Sequence, residues 1–195
     1  TQSHLRFGKE SIRSSYLVNT ADFVACHSPS YVTKYDLLKD LKKGGGFLLN
    51  CQWSAEELEE NLPDSMKKAI GQKQARFYMI NAVDIAKELG LGGRTNSILQ
   101  AAFFKLVDLI PIEDAVRYMK DAIQKTYGKK GRKVIEMNCA AVDKGIDSLF
   151  KVDVPESWAG ITVKDPGKKA VSEFIDKVVN VMNRQEGDSI PVSAF

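Results

Sequence analysis

Residues 90–96 read Gly90-Leu91-Gly92-Gly93-Arg94-Thr95-Asn96, and their types and spacing come nearest to a binding site. The paired glycines permit a tight turn. Thr95 or Asn96 is suited to cap a following helix. A helix start presents free N–H groups and a partial positive charge, which together favour a bound anion. Arg94 beside it is able to grip a phosphate through two parallel N–H donors. The spacing is not that of a Walker A loop, which ends in Gly-Lys-Ser/Thr. It is not a dinucleotide fingerprint either, because the segment before it reads as a helix and not a strand. The competing reading is a plain helix–helix turn with Arg94 in solvent.

Three other features could carry chemistry. Asn138 falls on the apolar stripe of a helix, four residues from both Val134 and Val142. A buried amide left without a partner costs about 1–3 kcal/mol. Asn138 therefore either bonds a neighbouring loop or faces a ligand. Cys26-His27 ends one expected strand and Cys51 ends the next, and ligands in open parallel sheets gather beyond such ends. A Cys–His nucleophile pair needs both side chains in contact, yet neighbours on a strand point opposite ways. Buried, inert thiols are the plainer reading. The basic turn Lys129-Lys130-Gly131-Arg132-Lys133 is either a solvated loop or a contact to a phosphate-bearing partner.

The elements expected to position these residues follow an α/β pattern. Asp22–Cys26, Phe47–Cys51 and Arg76–Ile80 are short apolar runs that suit buried strands. His4–Phe7 is strand-like as well. Residues 30–43 show helical spacing through Tyr31, Tyr35, Leu38 and Leu41, with Gly44-Gly45-Gly46 as the exit of that helix. Ser54-Ala55-Glu56-Glu57 is a capping box. Short helices are expected through Met66–Ile70 and Ala82–Leu89. Ile98–Val107 is apolar nearly all round, so that helix should be buried on most sides. Pro111 opens the next helix, and a third runs from Lys133 to Phe150. The stretch from Val152 to Lys168 is irregular, and an amphipathic helix covers roughly Lys169 to Asn183. The expected architecture is three-layer α/β/α with a mainly parallel or mixed sheet and a helical C-terminal half.

Composition bounds the function. The chain has 195 residues, which suits one domain, or one domain plus a tail. Charges nearly balance, at 28 Lys+Arg against 25 Asp+Glu, so neither nucleic acid nor a membrane surface is implied as a partner. No apolar run approaches the roughly 18 residues that cross a bilayer. Three widely spaced cysteines form no Cys-x-x-Cys pair, so an iron–sulfur cluster or zinc site built by this chain alone is not expected. Unpaired cysteines suit a reducing compartment, hence a cytoplasmic location. The chain starts at Thr1 and stops shortly after a turn-like Gly187-Asp188, which suggests a piece of a longer chain.

The residues also carry a resemblance. His4–Ser14, Ala21–Tyr31, Gly45–Ser54, Asn81-Ala82-Val83, the Gly90–Asn96 loop, Ala101–Lys105, Asn138–Asp143 and Gly187–Phe195 resemble, in order, the pyruvate:ferredoxin (flavodoxin) oxidoreductases. The resemblance implies a parent that joins pyruvate, coenzyme A and an oxidised carrier to give acetyl-CoA, carbon dioxide and reduced ferredoxin or flavodoxin. It further implies thiamine diphosphate and [4Fe–4S] clusters held elsewhere in that parent, which would be a homodimer. Residues 1–152 are similar to the family's γ-type domain, associated with coenzyme A and here N-terminally incomplete. Residues 153–195 look like its exit linker.

By position, Arg94 and Asn96 match the family's Gly-x-Arg-x-Asn loop, expected against coenzyme A phosphates. Asn138 matches a position expected to face the ligand. Gln52 stands where proline is usual and Gly93 where asparagine is usual, which leaves the shape of both loops open. The expected contribution is positioning, so no catalytic residue is assigned, and the fragment alone is expected to be inactive. Two rivals stand beside this reading: a purely structural or assembly domain of the same enzyme, and a free-standing hydrolase or transferase using Cys26 and His27.

Overall fold

The computed structural model describes residues 2–13, 16–163, 172–184 and 186–194. Four strands form one sheet in the order β1 (Ala21–Cys26), β2 (Leu41–Asn50), β3 (Arg76–Ile80) and β4 (Phe150–Lys151). β1, β2 and β3 are parallel, and β4 runs antiparallel to β3. The sheet is therefore mixed, and it is covered on both faces.

Alternation along the strands sorts the core into two layers. Phe47, Leu49 and Cys51 face one way with Phe77 and Met79, against Leu58 of α1 (Ala55–Asn61) and Met66 and Ile70 of α2 (Asp64–Gln72). The Phe47 and Phe77 rings stack at 5.1 Å across the β2–β3 pair. Leu48 and Ile80 face the other way. They meet α3 (Ala82–Glu88), α4 (Asn96–Val107) and α6 (Arg132–Asp147) through Ile85, Ala86, Ile98, Ala102 and Ala141. α5 (Ile112–Tyr127) lies outside, where Met119 and Ile123 cluster with Ala101 and Val142.

Helix crossings are close where the residues are small. A Cβ on Gly145 would lie 2.4 Å from the carbonyl oxygen of Ile98, so only glycine lets α6 touch the backbone of α4. The expected capping box is present, with Glu57 N–H donating to Ser54 Oγ and Ser54 N–H donating to Glu57.

Several expectations are corrected. Residues 30–43 do not form a helix: a 3-10 turn covers only Pro29–Tyr31, and β2 begins at Leu41. Val32, Leu38 and Leu41 turn into the first core layer, and Lys73 Nζ donates to the carbonyls of Leu38, Lys39 and Leu41 at 2.6, 2.8 and 2.7 Å, holding the end of the segment as irregular backbone where β2 begins. Gly44-Gly45-Gly46 is consequently not a helix exit but part of β2. A Cβ on Gly46 would lie 2.7 Å from the Phe23 ring, and the β1–β2 register slips just there.

His4–Phe7 is not a strand. It is held by the Val18 N–H donating to His4 Nδ1 and by Phe7 resting on Phe103. Pro111 precedes α5 as its cap residue rather than opening its first turn. The third long helix ends at Asp147, because Phe150 and Lys151 leave it to pair with β3.

The irregular stretch after residue 152 is partly ordered. A 3-10 helix over Glu156–Gly160 buries Trp158 in the first core layer. Its indole N–H donates to Glu59, which also pairs with the buried Lys67. A Cβ on Gly71 would lie 2.5 Å from the Ala159 nitrogen, so α2 and this turn touch backbone to backbone. Residues 164–171 lie outside the described residues, as does the start of the expected last helix. Its remainder is a π-helical turn over Ile175–Val179 leading into α7 (Asn180–Asn183).

Candidate functional site

Strand exits are the usual ligand-binding edge of such a sheet. The chain leaves β2 toward α1 on one face and leaves β3 toward α3 on the other. The crevice between those exits is stitched by the protein itself. Asn50, only 4% exposed, donates to the His27 carbonyl at 3.0 Å and accepts from the Ala82 N–H at 3.0 Å. Gln52 reaches across to Asp84 at 2.8 Å, and Asn81 and Lys87 donate to the same carboxylate. The hydrogen bond from Lys87, and then that from Asn81, holds the Asp84 carboxyl below the usual carboxylate range.

The thiols at this edge are buried and not activated. Cys26 is buried while His27 is exposed, so the two do not meet. Burial pushes the Cys26 and Cys51 thiols up, opposite to what a nucleophile needs. The rival hydrolase reading loses its nucleophile pair.

The Gly90–Asn96 corner is built differently. α3 ends at Glu88 with Leu89 as its cap, and Gly90 and Gly92 take positive φ of 71° and 63°, which turn the chain toward α4. Leu91 anchors the corner in the second core layer, its N–H donating to Ala86 at 2.8 Å. Gly92, Gly93 and Arg94 stand out of that anchor, exposed, with open space where a Cβ on either glycine would lie. Among the described residues, nothing pairs with the Arg94 side chain.

Thr95 does not cap α4. Its φ of −98° and ψ of −2° depart from the extended cap geometry, and its hydroxyl makes no cap hydrogen bond. Asn96, the first helical residue, is exposed. The first turn of α4 also lacks an acidic residue. By contrast, the starts of α1 and α3 are closed by their own Ser54–Glu57 and Asn81–Asp84 pairs. The opening N–H groups of α4 therefore have no side-chain cap, as is also the case at α2, α5 and α6.

Asn138 is 5% exposed and donates to the Val134 carbonyl of its own helix at 2.8 Å, rather than to a loop. Its neighbour Met137 approaches to 3.2 Å of a Cβ on Gly90, so the corner rests on the turn of α6 that carries Asn138. The basic turn is exposed. Lys130 lies over the Tyr127 ring and Arg132 pairs with Glu136 at 2.7 Å. Sequence reasoning missed Asn50. Its signal was a polar residue closing an otherwise apolar strand, a place that β propensity leaves to valine or isoleucine.

Comparison with known proteins places the chain. A family model described as pyruvate ferredoxin/flavodoxin oxidoreductase matches residues 1–148, and a domain of unknown function matches 162–195. The pyruvate-flavodoxin oxidoreductase of Enterobacter agglomerans is 53% identical over all of this chain, which spans 17% of that protein. The pyruvate:ferredoxin oxidoreductase of Moorella thermoacetica is 51% identical, and again the chain spans 17% of it. A pyruvate dehydrogenase [NADP(+)] of Cryptosporidium parvum is 40% identical, with 12% of its length covered. Among solved structures, a pyruvate oxidoreductase subunit from Thermotoga maritima aligns with a TM-score of 0.55 at 18% identity, covering 70% of this chain and 67% of its own, a likeness of fold. The chain belongs to the pyruvate ferredoxin/flavodoxin oxidoreductase family.

Proposed function

We propose that this chain is the coenzyme A-holding part of a 2-oxoacid oxidoreductase that converts pyruvate, coenzyme A and oxidised ferredoxin or flavodoxin into acetyl-CoA, carbon dioxide and the reduced carrier. The observation that carries the reading is the open corner at residues 90–96: positive-φ glycines, an unpaired Arg94 and the uncapped start of α4 in one place. A pyrophosphate accepts hydrogen bonds from backbone amides and bidentate ones from a guanidinium, and both donor types are available here. Asn96 adds a side-chain amide at the rim. Met137 of α6 supports the corner from below, and the amide of the adjacent Asn138 reaches the ligand only by giving up its bond to Val134.

Within this proposal, residues 1–152 form the γ-type domain and 153–195 the exit segment. The chain spans 17% of two relatives quoted above, so thiamine diphosphate and [4Fe–4S] clusters would sit in the remaining length, together with the other domains of a homodimer. Coenzyme A supplies the thiol that takes the acetyl group. The residues here bind and orient it, and they move no proton. Cytoplasmic location belongs to the same reading; no helix among the described residues is long and apolar enough to cross a membrane.

Steady-state kinetics of the full-length enzyme test it. Arg94→Ala should raise the KM for coenzyme A about tenfold or more, as expected for loss of a charged hydrogen bond, and leave the KM for pyruvate unchanged. An unchanged coenzyme A KM would return the chain to a structural or assembly role.

A further inference from the structure

An open cleft of about 440 Å³ lies at the amino end of β3, beyond the residues of the glycine corner. Its apolar lining is Tyr78, Leu106, Ile146 and Leu149. Its charged lining is Arg76, Lys105 and Lys151 against one carboxylate, Asp108. Two sheet strands and a helix end bring the cations together. Lys151 of β4 pairs directly with Tyr78 of β3, so both side chains rise on one face, and Arg76 stands two residues before Tyr78 on that face. Lys105 comes from the last turn of α4, and Asp108 turns the chain out of that helix with a φ of 52°.

Among the described residues, none of the three cations is held in an ion pair. Arg76 Nε donates to the Gly44 carbonyl at 3.2 Å, which fixes the guanidinium and leaves its terminal N–H groups free of that bond. Three like charges sharing one open cleft with a single carboxylate give it a net positive potential that favours an anion. The cleft is open to solvent, and its volume falls in the size range of small-molecule sites, about 300–1,000 Å³.

We propose that this cleft binds a small organic phosphate, with the phosphate between Arg76, Lys105 and Lys151 and an apolar body against Tyr78 and Leu106. A phosphate monoester offers three terminal oxygens to three cationic groups, which a carboxylate does not, and the apolar floor asks for more than inorganic phosphate. The site shares no residue with the coenzyme A reading, and either can fail without the other.

The test is calorimetric titration of the full-length enzyme that contains this chain with phenyl phosphate, inorganic phosphate and a hexaglutamate peptide. Phenyl phosphate should bind saturably. It should bind about tenfold less tightly to the Lys105→Ala/Lys151→Ala double variant, and equally well to Arg94→Ala. Both lysines are exposed, so an unchanged far-ultraviolet spectrum should confirm that the double variant folds. Absence of saturable binding at millimolar phenyl phosphate overturns the proposal, as does insensitivity to the double substitution. Equal affinity for inorganic phosphate removes the organic class. Tighter binding of hexaglutamate also overturns the proposal and makes the cleft a face for an acidic polypeptide.

Discussion

The two faces of the sheet are closed in different ways. On the α1/α2 face the cover is large and interlocked: Phe47, Phe77, Ile70 and Trp158 fill one layer, and Glu59 ties the indole N–H to Lys67. On the α3/α4/α6 face the cover is built from small residues, with Ala82, Ala86, Ala102, Ala141 and Gly145 letting helix backbones approach. The first face fastens a distant segment, residues 156–160, onto the domain. The second leaves its polar business at the margins, in the Gly90–Asn96 corner and the cationic cleft. Bulk gives one face its stability, and thinness gives the other its openings.

The largest expected effect lies on the bulky face. Trp158→Ala should cost about 3–5 kcal/mol, because it empties a buried indole site and removes the indole N–H donor to Glu59. Denaturant unfolding of the chain measures it, and a loss below about 1 kcal/mol would show that the segment adds little. Next come the matched glycines. Gly145→Ala places a Cβ 2.4 Å from the Ile98 carbonyl oxygen, and Gly71→Ala places one 2.5 Å from the Ala159 nitrogen. Each should cost about 1–3 kcal/mol by overpacking. Gly145→Ala should also loosen coenzyme A binding, since it forces apart the helices beneath the corner, whereas Gly71→Ala should not. Equal effects of the two on binding would erase the distinction between the faces.

A smaller effect is expected at Ser54→Ala, about 1 kcal/mol from loss of the α1 cap, with no change at the corner. The smallest concerns Asp84. Its carboxyl pKa is lowered in the folded protein, so its contribution is present above the unfolded value and is lost as pH falls through the folded one. Asp84→Asn should therefore lower stability by a constant small amount near neutrality and flatten the acid limb of an unfolding-versus-pH curve, the variant and parent curves converging as pH falls below about 4. An unaltered acid limb would show that the Lys87, Asn81 and Gln52 hydrogen bonds to Asp84 leave stability untouched.

Much of this layout was readable in the residues. The third strand was read at Arg76–Ile80 as it stands, because a five-residue apolar run bounded by polar stretches has few alternatives. The capping box at Ser54–Glu57 and the glycine corner were equally plain, each resting on local backbone chemistry. Residues 30–43 misled because Tyr31, Tyr35, Leu38 and Leu41 do repeat at helical spacing. Their shape is fixed by tertiary contacts: Leu38 and Leu41 enter the core where β2 begins, and Lys73, more than thirty residues away in sequence, bonds the carbonyls of Leu38 and Lys39. The cationic cleft was invisible for the same reason: Arg76, Lys105 and Lys151 meet only once β4 folds back on β3. Arg94 was singled out and stands exposed, whereas the Asn138 amide turns inward to its own helix, a choice that spacing alone does not show.

The most direct test is calorimetric titration of coenzyme A into the full-length enzyme that contains this chain, with and without Arg94→Ala. The account predicts that the substitution weakens the dissociation constant by about ten- to a hundredfold, the worth of a charge-assisted phosphate contact. An unchanged dissociation constant would contradict it and place the nucleotide on some other part of the enzyme.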